Sequence, residues 1–181
     1  PKIVNNGDGS ALMKNPEHDI LETLPGPDFS TGAELLFDEA TTREIYSTGR
    51  GSFKLRAKWH YVKEGNLIEI TEIPYSTATE VIMDKVAELI KNGKIKEIAD
   101  MRDETDLGGL KLTIDLKRGA EPDKLMQKLF RLTPLQDSFP CNFNILIAGM
   151  PRVMGIGEIL EEWTAWRTLC IMRRLSFQIQ K

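Results

Sequence analysis

The chain has 181 residues, of which 41% are hydrophobic and 28% charged, with a formal net charge of -3. That is the composition of an ordinary folded domain, with or without an appendage, and it excludes both a disordered chain and a globally basic nucleic-acid binder, though not a local basic face. Uncharged stretches are too short and too polar for a bilayer span. The two cysteines (Cys141, Cys170) and two histidines (His18, His60) are too scattered for a zinc site or a disulfide framework. No secretory leader opens the chain, so a reducing, cytoplasmic setting without membrane contact is expected.

Residues 1–15, rich in Asn, Gly and Asp, read as a loop or a junction. A short helix follows, with Asn15 as cap, Pro16 at its first position and Ile20, Leu21 and Leu24 as its apolar side. Pro25-Gly26-Pro27-Asp28 stops it. A second helix is expected over Glu39 to Thr48, between an Asp38 cap and a Gly49 stop. From Phe53 to Trp59 the residues alternate, with Phe53, Leu55, Ala57 and Trp59 facing one way and Lys54, Arg56 and Lys58 the other, as in one strand. Glu64-Gly65-Asn66 turns it into an antiparallel partner over Leu67 to Ile73.

Thr77 and Glu80 have capping-box spacing before a helix carrying Ile82, Val86 and Leu89 and closed by Gly93. Ile95 to Ile98 reads as a short strand and Arg102 to Asp106 as a charged loop. A third strand is expected over Leu110 to Lys117, with Leu112, Ile114 and Leu116 inward and Thr113 and Asp115 outward. A helix from Pro122 presents Leu125, Leu129 and Leu132. A last hairpin forms around Gly149, from Phe143 to Ala148 and Pro151 to Met154. Gly157 to Lys181 holds no proline or internal glycine, and Ile159, Trp163, Trp166 and Cys170 recur at near-heptad spacing, as in one long helix. The pattern predicts an α+β two-layer sandwich, an antiparallel sheet with helices on one face, plus a long C-terminal helix.

Catalytic chemistry finds little support. His18 in a first helical turn and His60 at a strand end suit structural roles. No phosphate loop is present, and Gly155-Ile156-Gly157 is only the first half of a dinucleotide fingerprint. Asp103, Glu104 and Asp106 lack the loop and distal glutamate of a calcium site and read as solvated charges. Trp163 and Trp166 suit packing between helices better than a ligand cage. One feature stands out: Arg50, Lys54, Arg56 and Lys58 fall between Gly49 and Tyr61 with no acid among them. Cations at every second residue of a strand lie ~6.5–7 Å apart, a spacing that suits contact with a nucleic-acid backbone without reading bases. The plainer alternative is a solvated face paired to acids on a neighbouring strand, such as Glu69.

Six segments resemble a known family. Pro25-Gly26-Pro27-Asp28-Phe29-Ser30-Thr31-Gly32 resembles the PGPDFPTGG segment of the A subunits of DNA gyrase and topoisomerase IV. Ser47 to Ala57 is similar to their TGRGSVKVRA strand, Ile70 to Tyr75 to ITEIPYQ, and Ile98 to Asp106 to ISDLRDESD. Thr133 to Phe139 resembles TQLQTSF, and Glu158 to Phe177 resembles the helix KEILEAFLEHRREVVTRRTRF. Together, and in the family's order, they cover roughly residues 16–179.

The resemblance implies a tower domain over 16–156 and the start of a coiled-coil arm over 157–181, from a bacterial type IIA topoisomerase. The tower would flank and support the bent, cleaved duplex, with DNA-binding by Arg50, Lys54, Arg56 and Lys58. The implied partners are double-stranded DNA, the topoisomerase B subunit, and a second copy of the full-length protein in a homodimer. The family's cleaving tyrosine lies in an upstream motif like AAMRYT, and Tyr46, Tyr61 and Tyr75 match none. No catalytic residue and no cofactor or metal is therefore expected in this chain, since ATP and Mg belong with the B subunit. Pro140-Cys141-Asn142 replaces the family's usual glycine-led continuation, and Ser30 stands where a proline is usual. The alternative is a protein-interaction or assembly module, held together through an apolar arm from Trp163 to Phe177, with no direct DNA contact.

Overall fold

The computed structural model describes the backbone of residues 3–5, 11–13 and 16–181, and side chains from Ile20 onward. The elements begin with β1 (Ile3–Asn5), β2 (Ala11–Met13), α1 (Pro16–Thr23), β3 (Glu34–Leu35), α2 (Glu39–Thr48), β4 (Arg50–Arg56), β5 (Lys58–Val62) and β6 (Leu67–Glu72). They continue with α3 (Thr79–Lys91), β7 (Ile98–Asp103), β8 (Leu112–Leu116), α4 (Pro122–Leu132), β9 (Gln136–Asn142), β10 (Asn144–Ile147), β11 (Met150–Val153) and α5 (Ile156–Ile179). β1 and β2 form an antiparallel hairpin where the sequence suggested only a loop or junction. The Asn15 cap and the side chain of His18 lie outside the described residues.

The chain divides into two compact units that do not follow chain order. One comprises Pro1–Pro27, Phe37–Ser52 and Pro140–Lys181, and the other Asp28–Leu36 and Phe53–Phe139.

The second unit contains the sheet β5-β6-β8-β7, antiparallel throughout. Ile68, Ile70, Leu112 and Ile114 form one core cluster with Ile82, Val86 and Leu89 of α3 and Leu125, Met126 and Leu129 of α4. This is the expected two-layer arrangement. Both helices bury one stripe at helical spacing, as the period of 3.6 requires. Leu132 is the exception, because the helix ends there and leaves it exposed.

Three local expectations fail. α3 starts one residue late for a Thr77 box: its cap is Ala78, and the buried Thr77 hydroxyl has no hydrogen-bond partner among the described residues. β7 runs through Arg102 and Asp103, and residues 95–97 precede it. Its charges looked like a loop, but Arg102 bonds Asp115 on β8, and also Glu104 and Asp100. Thr113 is buried because its hydroxyl donates to Glu104 Oε2 at 3.0 Å.

Glu97, between α3 and β7, accepts from Lys128 of α4 and from the Lys96 N–H. The Lys128 bond first, then that N–H, lowers the Glu97 pKa from 4.5 to about 2. A carboxylate with a depressed folded pKa stabilises above its unfolded value and loses that contribution as pH falls through the folded one. Stability of the chain should therefore decline between about pH 4.5 and pH 2, and Lys128→Ala should flatten that decline. Urea unfolding at pH 6, 4 and 2.5 measures it.

The first unit buries Ile20 and Leu21 of α1, Ile45 and Tyr46 of α2, and Met154. α2 has the expected limits: Asp38 accepts from the Thr41 N–H at 2.9 Å, and Gly49, at φ 72°, returns its N–H to Ile45 O. β10 and β11 form the expected hairpin through Ala148 and Gly149, at φ 50° and 82°, a pair of left-handed residues suited to a tight hairpin turn. α5 is a single helix of 24 residues, ~36 Å long, with no buried residue. Trp163 and Trp166 are 56% and 55% exposed rather than packed between helices. No helix among the described residues is long and apolar enough to cross a membrane.

Candidate nucleic-acid interface

The expected single strand of cations is two strands. β4 ends at Arg56, Ala57 is fully buried and donates its N–H to Leu135 O at 2.7 Å, and Lys58 opens β5 beside a bulge. β4 belongs to the sheet β3-β4-β9 and β5 to the four-stranded sheet. Alternation continues across the break because the side chain of Ala57 still points inward. Sequence period alone therefore does not reveal it.

The four cations meet different surroundings. Arg56 is half-buried: its guanidinium donates twice to Gln136 Oε1, at 2.9 and 2.8 Å, and lies 4.7 Å from the centre of the Phe130 ring. Its register partner on β3 is Glu34. Lys58 is 3.2 Å from Glu72 Oε1, so a carboxylate does answer it, on Glu72 rather than Glu69. Glu69 instead accepts from Lys111 and His60, and the Lys111 hydrogen bond chiefly holds its pKa low. Arg50 and Lys54 are exposed, and neither has an ion pair among the described residues.

Glu72 carried no role in the sequence beyond its place in a resembling segment. Besides Lys58, its Oε2 accepts the Ala33 N–H at 2.8 Å. Gly32 and Ala33 are both left-handed, at φ 70° and 78°, so Glu72 fastens a strained turn. Phe29 then stacks edge-on with Phe139, with ring centres 4.8 Å apart, and Tyr75 lies 5.9 Å from each. Three of the six resembling segments, those containing Phe29, Tyr75 and Phe139, thus meet in one aromatic cluster. Their co-occurrence in the sequence was the only signal of it.

The tyrosines are held by local bonds. Tyr46 donates to Leu24 O at 2.9 Å, and burial first, then the neighbouring Cys141, raises its pKa. Tyr61 donates to Asn66 Oδ1, and Tyr75 belongs to the cluster just described. The expected solvated acids are bonded locally: Asp103 to Thr105, Glu104 to Thr113, Arg102 and Lys111, and Asp106 to the Gly108 N–H. Among the described residues no group of His, Cys, Asp and Glu has the makings of a metal site. Gly155 of the half fingerprint lies against the end of α2, where an added Cβ would be 2.3 Å from Ser47 O.

The family profile for the A subunit of DNA gyrase/topoisomerase IV matches residues 5–181. The chain belongs to this family. It is 39% identical over 178 residues to the DNA gyrase A subunit of Halalkalibacterium halodurans, covering 94% of this chain and 21% of that protein. It is 37% identical over 180 residues to a probable chloroplastic/mitochondrial DNA gyrase A subunit of Oryza sativa subsp. japonica, covering 95% and 19%. It is 39% identical over 177 residues to the DNA gyrase A subunit of Metamycoplasma arthritidis, covering 94% and 20%. The chain spans about a fifth of the length of these curated relatives. Pro140 lies exposed on β9 at the border of its sheet. An edge strand tolerates a residue without an N–H.

Proposed function

We propose that the chain is the duplex-supporting part of the breakage-reunion subunit of DNA gyrase or topoisomerase IV, holding DNA through phosphate contacts while an upstream segment cuts it. In this reading residues 16–156 are the tower and 157–181 begin a coiled-coil arm. The full protein works in the cytoplasm as a homodimer with the B subunit, which supplies ATP and Mg chemistry. The observation that carries the proposal is the pair of exposed cations Arg50 and Lys54 on β4, without carboxylate partners among the described residues.

Arg56 and Lys58 act differently from the outer pair. Arg56 is engaged by Gln136 and Phe130, so it stiffens β4, the strand that presents Arg50 and Lys54, while Lys58 is held by Glu72 between β5 and β6. Backbone contact without base readout is what a support for any sequence requires. Smoothly bending a site of roughly 20–30 base pairs by about 40–90° costs of order 1–6 kcal/mol, and neutralised phosphates help offset it.

Fluorescence anisotropy with several unrelated duplexes tests the proposal. Arg50→Ala with Lys54→Ala should weaken binding to all of them equally, and unchanged affinity at low salt would remove the β4 contact.

A second reading has its own observation. Trp163, Trp166, Leu169, Met172, Leu175 and Phe177 are all exposed along α5, as on an assembly surface. Cutting the chain before Gly157 separates the two: duplex binding that survives supports phosphate contact by β4, and binding lost with the helix supports assembly.

A further inference from the structure

Three loops meet at the end of the four-stranded sheet remote from Lys58. Leu116 donates its N–H to Asn66 O at 3.0 Å, and Asn66 Nδ2 donates to Leu116 O at 2.9 Å. These bonds tie the turn 63–66 to the end of β8. The next residue, Lys117, donates its N–H to Glu97 O at 2.8 Å. The segments 63–66, 92–97 and 117–121 therefore form one rim. Strands 4.7–4.9 Å apart place its outer loops, on β5 and β7, about 14 Å from each other.

The rim is cationic. Lys63, Lys94, Lys96, Lys117 and Arg118 are exposed, and none has an ion pair among the described residues. Most neighbouring acids are engaged: Glu97 by Lys128, Glu121 by Lys124, and Glu88 by Lys85, with Lys94 adding to the lowering of the Glu88 pKa. Glu64 is the remaining acid in the turn.

The negative C-terminus of α3 explains cations at Lys91 and Lys94. It does not explain Lys63. Lys117 and Arg118 precede the N-terminus of α4, whose positive end adds to their field rather than offsetting it. Like charges gathered this way repel one another, and an anionic partner relieves that repulsion.

We propose that this rim is a second phosphate-binding surface, which contacts the sugar-phosphate backbone of duplex DNA independently of β4. A 14 Å length of duplex axis carries about eight phosphate charges, enough to engage every cation of the rim. Four of the five are lysines, point charges on flexible stems, so the surface tracks the backbone and does not read bases. Lys58, at the opposite end of β5, lies roughly 17 Å away at the usual strand rise.

The test uses the full chain and a fluorescein-labelled 30-base-pair duplex, with anisotropy read across a salt series. The rim variant combines Lys63→Ala, Lys96→Ala, Lys117→Ala and Arg118→Ala. Its affinity at low salt should fall at least ~10-fold and its salt slope by up to about 3.6, at 0.9 per phosphate, with an unchanged melting temperature. The same four positions changed to Arg or Lys, keeping charge, should bind like the parent.

If the combined variant melts early, the single reversals Lys96→Glu and Lys117→Glu replace it, and each should weaken binding. A rim variant with the parent's affinity and slope overturns the proposal, whatever Arg50→Ala with Lys54→Ala does. Loss in the rim variant alone supports the rim and removes the β4 contact instead. Tighter binding of inorganic polyphosphate than of duplex, per phosphate, overturns DNA as the partner.

Discussion

Gly49→Ala should lower the stability of the chain by roughly 3 kcal/mol or more, and Gly155→Ala by a similar amount. Gly49 adopts φ 72° at the end of α2, and a Cβ there would be 2.3 Å from Met154 O. The obstacle is backbone, which does not rotate away. Gly49 O also accepts the Phe143 N–H at 2.8 Å, and Phe143 O accepts the Met154 N–H at 3.3 Å, so three segments are fastened around this one residue. Gly155 opens α5 on the other side of the same junction, with a would-be Cβ 2.5 Å from Tyr46 O.

Gly93 supplies the internal control. It has nearly the same φ, 69°, but nothing among the described residues lies within 4 Å of its would-be Cβ. Gly93→Ala should cost only about 1 kcal/mol, the left-handed penalty alone. Thermal unfolding should place Gly49→Ala roughly 6–12 °C below the parent and Gly93→Ala a few degrees below it. Equal shifts for the two would mean that the close approach of α2 and the segment before α5 does not exist.

Glu72→Ala should cost about 1–3 kcal/mol and expose the loop around Phe29 to Ala33 to proteolysis. The substitution leaves the part-buried Ala33 N–H without its acceptor and releases Lys58. Ala33, left-handed with a Cβ, then keeps its strain without the bond that offsets it. Lys58→Ala removes only an ion pair in which both side chains are partly exposed, worth less than about 1 kcal/mol. Glu72→Gln, which retains an acceptor for the N–H, should fall between them. Urea unfolding with limited proteolysis measures all three. If Lys58→Ala cost as much as Glu72→Ala, the ion pair rather than the loop clasp would be the stabilising contact.

Much of the fold is legible because its signals are local. The Asp38 cap and Gly49 stop, the stripe Ile82, Val86 and Leu89, the turn at Asn66 and the Ala148-Gly149 hairpin each depend on residues a few places apart. The misreadings depend on distant partners. β7 becomes a strand because Arg102 finds Asp115 across the sheet. β9, unseen as a strand, hydrogen-bonds to β4.

The candidate site divides in the same way. Exposure of Arg50 and Lys54 follows from strand alternation. The break at Ala57 depends on Leu135 O, and the fates of Arg56 and Lys58 depend on Gln136, Phe130 and Glu72. A row of four equal cations was therefore the natural reading of the sequence, and two outer cations with two engaged ones is what the packing leaves.

The salt dependence of duplex affinity tests the β4 contact most directly. The slope of log affinity against log salt should be shallower by about 1.8 when Arg50 and Lys54 are both alanine, two phosphates at about 0.9 each. Lys58→Ala should change it by well under 0.9, because Glu72 already answers that charge. Parallel lines for the parent and the Arg50→Ala, Lys54→Ala protein would contradict phosphate contact by β4.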